Sequence, residues 1–151
     1  MYEAVKFLHI ISAMVFFGLP FTFGRWYRSC LEPGQEPALV ASLQKMRQFL
    51  NVHMNIMGLV TLGTGIYLAT ATDMWKGPEK WVHAAPVLML LSLFNVNIFL
   101  SAPINGFIQE LSKDGDRQQV HLKIRKRIAA FSGIQHTLVT ILTAMMVFRP
   151  F

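Results

Sequence analysis

The residues best able to do chemistry in this 151-residue chain are its histidines. Four of the five, His9, His53, His83 and His136, fall inside or at the mouths of long uncharged stretches, and only His121 sits among charges. An ionisable side chain in such a stretch is costly and points by default to function. Neutral imidazole is a ligand for iron, copper and zinc. The plainer reading of one such histidine is a ring bonded to a carbonyl of a neighbouring helix. Four in one small protein shift the balance toward a cofactor. Zinc sites gather three or four ligands, and copper sites are similar, whereas haem needs one or two axial ligands and a flat apolar slot. Small residues leave room for a macrocycle: Ser12 and Ala13 lie one turn after His9, and Ser132, Gly133 and Thr140 flank His136. The same residues equally permit close helix packing.

Methionine supplies a rival chemistry. His53 and Met57 are four apart, next to Met54, and imidazole with thioether suits Cu(I). Packing is the plainer role for Met57, although methionine is also a haem axial ligand. Asn97, Ser101 and Asn105 are spaced by four and read first as interhelical glue, second as a polar path. There is no Walker loop, GxSxG or CxxC, and Gly63-Thr64-Gly65 reads as packing.

These groups need elements to position them. Hydrophobic residues make up 53% of the chain and charged residues 15%, with a mean hydropathy of +0.40. That excludes disorder and is far from a soluble domain, where about 25% of residues are charged. The charges bound four gaps of 18, 25, 29 and 21 uncharged residues, at 7–24, 48–72, 81–109 and 128–148. A helix crosses the hydrocarbon core with about 20 apolar residues. The chain therefore reads as one all-α, four-span antiparallel membrane bundle, with spans near 5–24, 49–71, 82–103 and 128–148. The first span is read as a retained helix, because Arg25-Trp26-Tyr27-Arg28 follows it in place of a small-residue cleavage site. The lack of Asp or Glu inside a span argues against a carboxylate proton relay. The single Cys30 has no intramolecular partner.

Ten basic residues fall on the two connections 25–47 and 102–127, against four on the opposite side. The positive-inside rule then places both termini outside, in a bacterial inner membrane, and the two connections in the cytoplasm. The net charge of +6 is thus topology information, and no nucleic-acid partner is implied. Trp26, Tyr27, Trp75, Trp81 and Tyr2 form the aromatic belt. Arg25, Arg28 and Arg127 mark the cytoplasmic edge, where they meet lipid phosphates or the carboxylates of an inner haem. By depth, His9 and His83 form an outer pair, and His53 and His136 an inner pair. Leu31–Pro37 reads as a turn, Lys113-Asp114-Gly115-Asp116 as a break, and Arg117–Arg127 as a helix running into the fourth span. Pro86 reads as a first-turn proline.

The first span contains Lys6-Phe7-Leu8-His9-Ile10-Ile11 and then Gly18-Leu19; Trp81-Val82-His83-Ala84 opens the third, and the chain ends Arg149-Pro150-Phe151. These elements resemble the HemJ-type protoporphyrinogen oxidase family, helical membrane proteins that bind haem b and are related to copper-resistance membrane proteins. The resemblance implies that His9 is a haem axial ligand. It departs at Ala85-Pro86-Val87, where the family carries a lysine, and at Gly133-Ile134-Gln135-His136, where it has Asn-Glu. The extra histidines, His53 and His136, point to further haem ligation or electron transfer.

The expectation is a haem b membrane redox protein, with one haem or two, working in electron transfer with a quinone or in HemJ-like oxidation. His9, His53, His83 and His136 are the candidate metal ligands, with Met57, Arg25 and Arg127 as candidate cofactor contacts. A copper-handling protein and a non-enzymatic membrane subunit are the alternatives. The lipid bilayer is the surrounding partner, and a homodimer is expected because four short spans enclose little core.

Overall fold

Backbone groups in lipid must bond within their own segment, so each uncharged stretch is under pressure to be helical. The computed structural model describes residues 1–18, 20–22, 25, 36–78, 80–111, 113 and 117–149. Trp26, Tyr27, Arg28, Cys30, the Pro33-Gly34 turn, residues 114–116 and the Pro150-Phe151 ending lie outside them. Helix α1 spans Tyr2–Gly18 and α2 spans Glu36–Phe49. A π-helical segment, Leu50–Met54, joins α2 to α3, Asn55–Ala71. A 3₁₀ turn at Met74–Lys76 leads to α4, Trp81–Phe94, which continues through a second π segment, Asn95–Ser101. Short α5, Ile104–Leu111, precedes α6, Arg117–Phe148. No strand occurs among the described residues.

Four joined helical runs are long and apolar enough to cross a membrane: Tyr2–Thr22, Pro37–Ala71, Trp81–Leu111 and Gln118–Phe148. Three of them outrun the expected spans at the same end. Residues 36–49, read from sequence as part of a connection, are helical because Leu39, Leu43, Met46 and Leu50 recur at helical spacing and all are buried. They pack with α5, which packs in turn on α6, so the bundle core extends through Ile104 and Ile124 beyond the fourth uncharged gap. Helix α6, with 32 residues, is unbroken from this basic end to the end that carries the termini. At 1.5 Å per residue it is about 48 Å long.

Side-chain pairings fix an up-down-up-down order. Phe16 meets Gly58, and Ser12 meets Thr61 across α1 and α3. Asn97 meets Asn55 across α3 and α4, and Asn95 meets Gln135 across α4 and α6. Along each interface the numbering rises on one helix as it falls on the next: Gly58 meets Leu93 and Asn51 meets Ser101, while Ser92 meets Gln135 and Phe99 stacks on Phe131. Outward faces are apolar: Phe7, Met14, Leu59 and Val87 are all exposed. A large exposed apolar surface is rare on soluble proteins and is the natural face toward lipid.

The two π segments lie against each other. In each neighbourhood an asparagine amide takes a helix carbonyl four residues back: Asn55 Nδ2 donates to Asn51 O at 2.9 Å, and Asn97 Nδ2 to Leu93 O at 2.8 Å. A side chain inserted into the carbonyl ladder locally widens a helix. The same two amides pair reciprocally at 2.8 and 2.7 Å, and Ser101 Oγ donates to Asn51 Oδ1. Deeper, Gln135 Nε2 donates to Ser92 Oγ at 2.6 Å, while Asn95 Nδ2 donates to Gln135 Oε1 at 3.0 Å and Phe131 O at 3.1 Å. Asn97 and Ser101 thus act as glue between helices, whereas Asn105, grouped with them by spacing, is exposed.

Candidate functional site

The α1–α3 interface is built from small and hydroxylated residues. A Cβ on Gly58 would stand 2.5 Å from Leu93 Cδ2 and 2.9 Å from Phe16 Cε2, so glycine lets three helices close there. One turn on, Thr61 Oγ1 donates to Met57 O at 2.8 Å and approaches Ser12 Oγ at 2.9 Å. Two turns on from Gly58, a Cβ on Gly65 would stand 3.1 Å from His9 Cε1. The absent side chain makes the seat for the His9 ring.

His9 is held by one nitrogen. Its Nδ1 lies 3.0 Å from Thr61 O and 3.0 Å from Thr64 Oγ1. A carbonyl only accepts, and the Thr64 hydroxyl directs its own proton to Val60 O at 2.6 Å. Nδ1 therefore carries the imidazole proton, and the Nε2 lone pair is left for a ligand. A backbone carbonyl that fixes the tautomer through the other nitrogen is the usual outer-shell arrangement of a metal-binding histidine.

His9 lines a cavity of about 360 Å³ at the termini end, between α1, α3, α4 and α6. Ligand and cofactor sites run from about 300 to 1,000 Å³. Among the described residues α1 and α6 share no extensive packing, which leaves the space. Three thioethers join the wall: Met74, Met89 and Met146. Lys6 and Arg149 stand at its rim, and Trp81 lines it with an indole N–H that is buried and without a partner. Pro86 also lines it. It lies in the second turn of α4, not the first as read from sequence, and so cannot donate to the carbonyl of Val82, another wall residue.

The other candidate residues are placed elsewhere. His83 is exposed and its ring leans on Trp75 at 5.1 Å, beside the cavity and not among its lining residues. His53 is exposed and stacks on Phe49 at 4.6 Å. Met57, four residues on, packs against the core instead. His136 stacks on Phe21 at 4.1 Å, with a buried Nε2 that has no partner. Among the described residues no hydrogen bond or ring contact joins two of these four histidines, and no three His, Cys, Asp or Glu side chains gather. Arg25 is exposed. Arg127 donates to Phe99 O at 3.3 Å and lies over the Phe131 ring, so it serves the second π segment.

Sequence reasoning missed the groups that equip His9. Thr61, Thr64 and Gly65 carried a usable signal, since a run of small and hydroxylated residues at helical spacing marks the face where another helix approaches. Lys6, Trp81 and Arg149 stand out in the sequence as charges on the less basic side, as a belt residue and as parts of the elements that carry the resemblance, and none of these signals places them around one cavity. No protein-family model, curated protein or solved structure matches this chain.

Proposed function

We propose that the chain is a haem b-binding membrane redox protein in which His9 is the axial ligand and the termini-end cavity holds the macrocycle. The observation that carries this is the Nδ1 anchor on Thr61 O, which commits Nε2 to a ligand inside a mostly apolar cavity. The residues present suit the group. One imidazole is enough to hold haem, and the cavity wall also carries the thioethers of Met89 and Met146, which could serve as further ligands. Bound haem would supply one-electron chemistry. The protein's part is to hold the His9 ring against Gly65, exclude water through the α1–α3 and α4 walls, and leave the side between α1 and α6 for a lipid-borne quinone. Electron transfer fits this better than HemJ-like oxidation, because the described cavity wall has no carboxylate to move protons. The charge pattern supports an orientation with the cavity on the outer side of the membrane.

The test is the absorption spectrum of detergent-purified protein. A Soret band with a haem b pyridine haemochrome is expected, and His9→Ala should lose it while keeping helicity and elution volume. Colourless wild-type protein, or unchanged haem in His9→Ala, overturns the proposal. A copper reading is favoured by one specific observation: the cavity combines His9 with Met74, Met89 and Met146, an imidazole and thioether set suited to Cu(I). It moves the copper site away from His53 and Met57. Bound copper by metal analysis in colourless protein would support it.

A further inference from the structure

Lys6 and Arg149 come from opposite ends of the chain and line the same cavity. Among the described residues neither has an acidic partner, the ion pair present being Lys76 with Asp73 at 2.9 Å. Arg149 also holds a backbone that side-chain-bearing residues seldom adopt, with φ of 45°. Its N–H still bonds Met145 O at 3.1 Å, so the left-handed residue closes α6 where glycine is usual and sets an arginine at the rim. Such a conformation is strained for a residue with a side chain and persists where its surroundings require it. Below the rim, the buried Trp81 N–H adds a donor with nothing to donate to. Two cations and an orphan donor over an apolar cavity describe a receptor for an amphiphile with an acidic edge.

We propose that Lys6 and Arg149 form a carboxylate clamp that orients the cavity's ligand with its acid groups toward the termini end. This rests on the haem reading, for haem b carries two propionates on one edge and is apolar on the other. The clamp sets which edge of the macrocycle lies at the termini end and which edge enters the apolar part of the cavity. Guanidinium and ammonium groups both pair with carboxylates, the former in two-point fashion. The same cations would also bind a lipid phosphate, and the experiment separates the two sources.

Protein in vesicles of zwitterionic lipid is titrated with haem b and with its dimethyl ester, following the Soret band. Wild type should bind the acid at least about tenfold more tightly than the ester, as loss of a charge-assisted contact predicts. Lys6→Gln with Arg149→Gln should remove that preference by weakening acid binding alone, and Lys6→Arg should keep it. Equal binding of acid and ester by wild type overturns the clamp, and this readout needs no variant. A double variant that weakens both ligands equally also overturns it and assigns the pair to lipid or fold. If wild type binds neither ligand, the haem reading itself falls. If it binds both alike and His9→Ala loses both, the haem reading survives and the clamp does not.

Discussion

The two ends of this bundle solve the same packing problem in opposite ways. At the basic end, α2, α5 and the start of α6 carry the core beyond the uncharged stretches, and the polar side chains of the π segments find one another: Asn51 with Ser101, Asn55 with Asn97. Just inward, Ser92, Gln135 and Asn95 form a linked buried set. At the termini end the space is left open, and four of its polar groups have no partner among the described residues: the Trp81 indole, Lys6, Arg149 and, once Nδ1 is anchored, His9 Nε2. Satisfied polar groups inside a helical bundle specify helix pairing, while unsatisfied ones beside a cavity await something else. The lesson concerns histidine in particular. His53 and His136 also lie in apolar stretches, yet their rings stack on Phe49 and Phe21, and neither lines the cavity.

Substitutions at each end sharpen the contrast. The largest effect belongs to His9→Ala, which should empty the cavity of haem with little change in the unfolding of the haem-free bundle, as read by Soret absorbance beside denaturation curves of the haem-free proteins. Gln135→Ala should do the reverse. It strips the partner from Ser92 and one from Asn95, costs about 1–3 kcal/mol, and leaves haem content at the wild-type level. A loss of haem there comparable to that of His9→Ala would break the division between the ends. Asn97→Ala opens the reciprocal amide pair, whose interhelical bonds are worth about 0.6 kcal/mol on average in membrane bundles. It should lower unfolding stability by that order and spare the spectrum. The smallest change is Gly65→Ala. Its Cβ would sit 3.1 Å from His9 Cε1, which obliges the ring to yield by a few tenths of an ångström. Haem content should hold while the Soret maximum moves. An unmoved maximum would remove His9 from the iron.

Much of the fold was legible because lipid leaves so few choices. Uncharged gaps of 18 to 29 residues are long and apolar enough to be helical spans, and their order follows from short connections. The helical extension at 36–49 was legible too, in the spacing of Leu39, Leu43, Met46 and Leu50, but its polar composition drew attention to its charges. The π segments were not legible, since nothing in Leu50–Met54 or Asn95–Ser101 departs from ordinary helix composition. Of the site, His9 stood out as a rare ionisable group in an apolar stretch. What it faces did not, because the rotation of one helix about its axis relative to the next is set by three-dimensional packing. The depth pairing of His9 with His83 shows the limit. Both lie toward the termini end, yet His83 turns to Trp75 and solvent while His9 turns to Thr61 and Thr64.

The paired π segments also bear on how the two ends stay in phase. A π turn is in effect a single residue inserted into an α-helix, and one residue rotates everything beyond it by about 100°. On the second run, the insertion at Leu50–Met54 separates the stripe of Leu39, Leu43 and Met46 from the stripe of Gly58, Thr61 and Gly65 that receives α1. Removing one residue from that segment would leave both stripes chemically intact and turn one away from its partner. Thr61 would swing off His9 although no residue of the cavity had changed. The segment is therefore the gear tooth of the molecule: it sets the angle at which a closed end delivers an open one.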